Sequence, residues 1–216
     1  MTIMMKTSLV LVLATAVAIT TVATQAQAPQ GGGATGDQAA RGRGGRGPQT
    51  PPLIMTSTAW EDGGVIPHKY TSAAPDKMTV NPELKWSQVP MGTQTFVLLF
   101  RDPEFGYNRG AKTDYTHWML WNIPGTSTGI PEGLPAGDLP DGTRQISARS
   151  TGYLGPGAGP GPYHHYTFDL FAVDTKIDVP TGTPAEAAAT RAAVIEAMEG
   201  HVIGKAMLVA RYRREQ

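Results

Sequence analysis

No cysteine occurs anywhere in the 216 residues. That absence excludes disulfides, thiolate metal sites, a cysteine nucleophile and the lipid-bearing cysteine of a bacterial lipoprotein. Net charge is missing too, because 18 Lys and Arg balance 18 Asp and Glu. The chain as a whole therefore has no electrostatic bias toward nucleic acid or an anionic membrane. The apolar run near the N-terminus, Leu9 to Ile19, falls short of the ~20 residues that a membrane-spanning helix needs.

That run reads instead as the apolar core of a signal peptide over residues 1–28. Lys6 supplies the positive start and small residues fill Thr24 to Ala28. Ala26-Gln27-Ala28 fits the small-x-small rule, but Pro29 disfavours a cut directly before it, so cleavage after Ala26 or after Ala28 stays open. The expectation is a bacterial periplasmic or secreted protein, with no stable membrane insertion after cleavage; an uncleaved anchor is the alternative. Residues 29–52 have almost no large apolar side chain and carry Arg41-Gly-Arg-Gly-Gly-Arg-Gly47. Such a segment cannot offset the entropy of ordering and reads as a disordered Gly/Arg/Pro-rich linker. No aromatic residue interleaves its arginines, and export removes RNA from reach, so no nucleic-acid partner is expected.

From Leu53 onward, residues 53–216 read as one folded domain with strand signals throughout. Leu53 to Trp60 alternates loosely and stops at Glu61-Asp62-Gly63-Gly64. Pro82 to Trp86 puts Leu84 and Trp86 on one face. Thr95 to Phe100 is apolar enough for burial on both faces, and Met119–Ile123 and Thr167–Val173 behave alike. Lys205 to Tyr212 is the last strand. One helix is marked by Thr183, Pro184 and Glu186 as a capping box. Ala187, Val194, Ile195, Met198 and Val202 are expected on one face, and Gly200 at the end. About seven strands and one late helix predict a mostly β domain, an antiparallel β-sandwich with one peripheral helix near the C-terminus.

Polar groups cluster where these strands begin or end. Asp102 closes one run and His117 opens another. His164 and Tyr166 share a face of a third, with His165 on the other face. The loop Gly152 to Pro162 is rich in glycine and proline, so its backbone can approach a ligand and offer N–H groups. A histidine there can donate to a phosphate oxygen, and Asp102 can orient a histidine or meet an ammonium group. A structural polar cluster is the competing reading. Gly125-Thr-Ser127-Thr-Gly129 matches a nucleophile pattern, but Ile130-Pro131 follows where that turn needs a helix. Gly110-Ala-Lys112-Thr113 lacks the adjacent Gly-Lys-Thr of a phosphate-binding loop. His117, His164, His165 and Asp102 have no diagnostic metal-ligand spacing, so no metal and no cofactor is expected. His201 is expected to cap helix carbonyls.

Taken in order, Asp102-Pro-Glu104, His117-Trp118 with Asn122-Ile-Pro124, Gly152-Tyr-x-Gly155-Pro156 and His164-x-Tyr166 resemble the phosphatidylethanolamine-binding protein (PEBP) family. The closest likeness is its bacterial Raf-kinase-inhibitor-like branch. Asp62-Gly63-Gly64, Asn81-Pro82-x-Leu84-x-Trp86 and Ala197-Met-Glu-Gly-His201-Val202 extend the likeness from Thr56 to the end. The resemblance implies a β-sandwich with a pocket for a phosphate-type small anion or phosphorylated head group. Carried over by position, its ligand-binding residues are Asp102, His117, Gly155, Pro156, His164 and Tyr166. It implies binding without catalysis; a protein-interaction module inhibiting a protease- or kinase-like partner, and a weak hydrolase using a pocket histidine, are the alternatives. Two departures stand out. Glu104 replaces the usual second Asp, and Gly106 replaces a Pro, which should loosen that loop.

Overall fold

The computed structural model describes residues 51–75 and 78–215. The signal peptide and most of the linker read from the sequence lie outside the described residues. No described helix is long and apolar enough to cross a membrane.

Nine strands are found among the described residues: β1 (Ile54–Thr56), β2 (Gly64–Val65), β3 (Leu84–Ser87), β4 (Thr95–Asp102), β5 (Tyr115–Pro124), β6 (Gly129–Ile130), β7 (Arg144–Ile146), β8 (His164–Val173) and β9 (Val202–Tyr212). They form two sheets, ordered β1-β3-β6 and β2-β9-β8-β4-β5-β7. Every pairing is antiparallel except β2 with β9, which is parallel. The first predicted strand is shorter than expected and stops at Thr56, whereas the last begins three residues early, at Val202.

Period-two alternation decides the layers. Phe96, Leu98 and Phe100 of β4 face the three-stranded sheet with Trp118 and Leu120 of β5 and Phe168 and Leu170 of β8. Val97, Leu99, Met119 and Trp121 face the other way, toward α1 (Ala187–Ala197). The central strands therefore bury both faces, as their continuous apolar runs predicted.

The helix start also follows the sequence. The Glu186 carboxylate accepts from the Thr183 N–H and hydroxyl, each at 2.8 Å, and Gly200 turns the chain with φ +81°. Two assignments to its buried face do not hold. Ile195 is 44% exposed, and Val202 has already entered β9. Ala187, Thr190, Val194 and Met198 form the buried face instead. Arg191, at 19% side-chain exposure, reaches from α1 to Asp114, and Arg101 joins Asp114 to Asp169. Burial alone would raise the Asp114 carboxyl; Arg191 and Arg101 together hold it below the usual range.

Two extra residues in β5 break the alternation. Ile123 pairs with Phe96 but Leu120 pairs with Leu98, and Trp118 pairs with Phe100 but Thr116 pairs with Arg101. At the first irregularity Asn122 adopts φ 57°, a left-handed conformation that asparagine tolerates. Its side chain bonds both the N–H and the carbonyl of Ile177, at 2.8 and 2.9 Å. The second irregularity contains His117.

Candidate functional site

A cavity of about 900 Å³ opens at one end of the large sheet, where β4 ends and β5 and β8 begin. Asp102 follows the alternation of β4 inward and is 2% exposed. Its Oδ2 accepts from His164 Nδ1–H at 2.8 Å, and its Oδ1 accepts from the Glu104 N–H at 2.9 Å. With Nδ1 engaged, Nε2 of His164 is the ring nitrogen left for a ligand.

Strict alternation would send His117 to the helix side with Met119. The extra residue re-aims it, which is a common use of a β-bulge beside a site. Its ring packs 5.3 Å from both Phe100 and Tyr166. Its Nδ1–H donates to the Leu154 carbonyl at 2.8 Å while the Leu154 N–H donates back to its own carbonyl at 3.1 Å. The neutral ring thus offers Nε2 as an acceptor, and only the protonated ring donates there. Burial pushes the His117 pKa below its ordinary 6.5, against the opposing pull of the Leu154 carbonyl and Asp102.

This depression predicts a pH dependence of stability. Below about pH 6.5 the unfolded chain binds a proton that folded His117 resists, so unfolding free energy falls as pH falls. Thermal unfolding followed from about pH 7.5 to 5.5 should lose stability across this window, and His117→Gln should flatten that part of the slope. An unchanged slope in the variant would assign the dependence to other groups.

Tyr166 lies on the floor, fully buried. Its hydroxyl lies near Asp102 and Ala158 but has no partner within hydrogen-bonding geometry among the described residues. Burial, reinforced by the Asp102 charge, holds its ionisation far above the ordinary phenol range. His164 lines the cavity with it, as their shared strand face predicted, while His165 points away.

The glycine-rich loop contributes backbone. Gly155, Gly157 and Gly159 line the cavity, and their N–H groups donate to no described residue. Gly155 is also required by packing, because a Cβ there would stand 2.5 Å from Thr79 Cγ2 and 2.8 Å from the Thr71 carbonyl carbon. Pro156 does not line the cavity. It is buried behind the wall, where its carbonyl accepts from the Ser72 N–H at 2.8 Å. The structure thus brings Asp102, His117, Gly155, His164 and Tyr166 together and leaves Pro156 as their support.

Both departures from the family pattern acquire a physical reason. The Glu104 side chain accepts from the His165 backbone N–H at 2.6 Å and from its ring at 3.2 Å, tying the loop after β4 to the start of β8. Gly106 has φ +66°, a value closed to proline. Rather than merely loosening the loop, it starts the 3-10 turn Tyr107–Arg109.

Sequence reasoning missed Arg109, Arg149 and Arg214, which line the same cavity. Place in sequence was a signal for two of them: Arg109 follows Asp102 closely and Arg149 precedes the glycine-rich loop, whereas nothing near Arg214 in sequence marked it. Two other candidates resolve differently. Ser127 donates its hydroxyl to the Gly129 carbonyl at 2.7 Å inside a strand-to-strand turn, so it lacks the setting of a nucleophile. The His201 side chain meets Asp174 at 2.8 Å instead of capping helix carbonyls.

Comparison with known proteins agrees with this architecture. The family model described as phosphatidylethanolamine-binding protein matches residues 56–213. A UPF0098 protein of Methanothermobacter thermautotrophicus is 40% identical over 165 residues, covering 75% of this chain and 99% of its own length. The UPF0098 protein YbhB of Escherichia coli is 31% identical, covering 60% and 84%. Among solved structures, a PEBP homologue from Chlamydia trachomatis superposes with a TM-score of 0.61 at 26% identity, covering 76% of this chain and 99% of its own. E. coli YbcL, described as a member of the mammalian PEBP family, gives 0.60 at 25% identity, with 76% and 100% covered. With its fold and most of its length accounted for, the chain belongs to the phosphatidylethanolamine-binding protein family.

Proposed function

We propose that this is an exported binding protein, without catalysis of its own, whose cavity holds a phosphate-type small anion or phosphorylated head group. One observation carries the reading. Among the cavity groups, Asp102 is committed to orienting His164, while Nε2 of two histidines, the Tyr166 hydroxyl and several loop N–H groups remain available to one ligand. The hydroxyl and the loop N–H groups donate, and each Nε2 donates once its ring is protonated, so the array suits an anion. Export rests on the N-terminal apolar run and its small-residue flank.

Titration with inorganic phosphate, followed through the histidine side-chain NMR signals, tests the pocket. Saturable shifts at His117 and His164 are expected. His164→Gln should weaken binding about tenfold or more, the scale of one lost hydrogen bond to a charged group. Histidine signals that stay put at millimolar phosphate would refute the assignment and turn attention to protein partners.

A further inference from the structure

We infer that the cavity selects phosphomonoester dianions of small molecules over phosphodiesters and zwitterionic head groups, with Arg109, Arg149 and Arg214 as the specificity-determining residues. This rests on the pocket reading above and goes further by naming the charge and class of the ligand.

The three guanidiniums come from three separate segments and line one cavity. Arg109 sits in the turn after β4, its N–H donating to the Gly106 carbonyl at 2.8 Å. Gly106 and Gly110 both take left-handed conformations on either side of that turn, so the departure from proline helps shape the loop that carries Arg109. Arg149 follows β7. Arg214 follows β9, where its N–H donates to the Ala158 carbonyl at 3.0 Å and ties it to the glycine-rich wall.

Their charges are uncompensated. None of the three forms an ion pair among the described residues, whereas Arg101 and Arg191, across the sheet, are committed to Asp114 and Asp169. Among the described residues Asp102 is the only carboxylate lining the cavity, and it already holds His164 and the Glu104 N–H. Three permanently charged guanidiniums against one carboxylate leave an excess of two positive charges with both histidines neutral.

A phosphodiester brings one negative charge to this site, and a phosphoethanolamine head group adds an ammonium. The ammonium would find arginines and no uncommitted carboxylate, since Glu104 is engaged with His165. A phosphomonoester near neutral pH carries close to two negative charges, matching the excess. The unpartnered, fully buried Tyr166 hydroxyl marks where a phosphoryl oxygen would accept. A cavity of about 900 Å³ leaves room for an organic substituent.

Calorimetric titration of the full chain at about pH 8 compares glycerol 3-phosphate with glycerophosphoethanolamine. The monoester is expected to bind at least about tenfold tighter, with affinity falling as salt rises. The triple variant Arg109→Gln, Arg149→Gln, Arg214→Gln should reduce that preference to about threefold or less; all three side chains are exposed, so unfolding should be unchanged. Equal binding of the two probes, or a preference that survives in the variant, overturns the selectivity and leaves the pocket reading intact. Failure to bind either probe or inorganic phosphate overturns both. Vesicles bearing phosphatidic acid, compared with phosphatidylethanolamine vesicles, then distinguish a lipid-borne monoester from a soluble one.

Discussion

Phe100→Ala should lower the unfolding free energy by about 3–5 kcal/mol, the range for removing a buried aromatic side chain. Phe100 is fully buried, stacked on Phe168 at a centroid distance of 3.9 Å and on Tyr153 at 5.6 Å. Its ring also meets His117 at 5.3 Å and Tyr166 at 5.9 Å. The same substitution therefore opens the core and removes the support behind two pocket side chains. Denaturant unfolding at constant m-value is the appropriate measure. Phe100→Leu, which refills much of the volume, should cost clearly less and retain the proposed phosphate binding. A loss below about 1 kcal/mol for the alanine variant would mean that the stack relaxes around the cavity and that the centre of the core lies elsewhere.

Gln145→Leu should cost about 3 kcal/mol or more through polar groups rather than volume. Gln145 is fully buried at the sheet edge. Its Oε1 accepts from Trp118 Nε1 at 2.8 Å, and its Nε2 donates to the carbonyls of Pro135 and Gly137, each at 2.7 Å. Leucine fits the space but strands the buried Trp118 donor, worth about 1–3 kcal/mol when unsatisfied, and removes two hydrogen bonds to partly exposed carbonyls, each worth about 1 kcal/mol. In a double-mutant cycle, Trp118→Phe should be less damaging in the Gln145→Leu background, because the indole donor no longer has a partner to lose. Strict additivity would show that this hydrogen bond contributes little. Nothing in the sequence singled out Gln145: a glutamine in a short strand signals burial only once its three partners are placed around it.

Most of the architecture could be read directly, because it depends on patterns along one strand or helix. The continuous apolar runs of β4, β5 and β8 required burial on both faces, and two core clusters occupy those faces. Thr183, Pro184, Glu186 and Gly200 marked the helix ends. The extent of the last strand was misjudged, because Val202 continues the helical apolar spacing while the chain has already turned at Gly200. The cavity-lining residues were legible to a smaller degree. His164 and Tyr166 followed from the period of two, and Asp102 from its place at the end of β4.

By itself, then, the sequence determined the fold class, the helix caps, the two-sided burial of the central strands and the order of the pocket motifs. All are properties of near neighbours or of residue periodicity. Only the tertiary structure decided which way His117 points, that Glu104 spans to His165, that Pro156 lies behind the wall, and that three arginines from distant segments border one cavity. Those outcomes depend on an extra residue in one strand relative to its partner and on loops meeting at a sheet end. Neither leaves a periodic trace, since register and loop convergence are set by the packing of segments far apart in the chain.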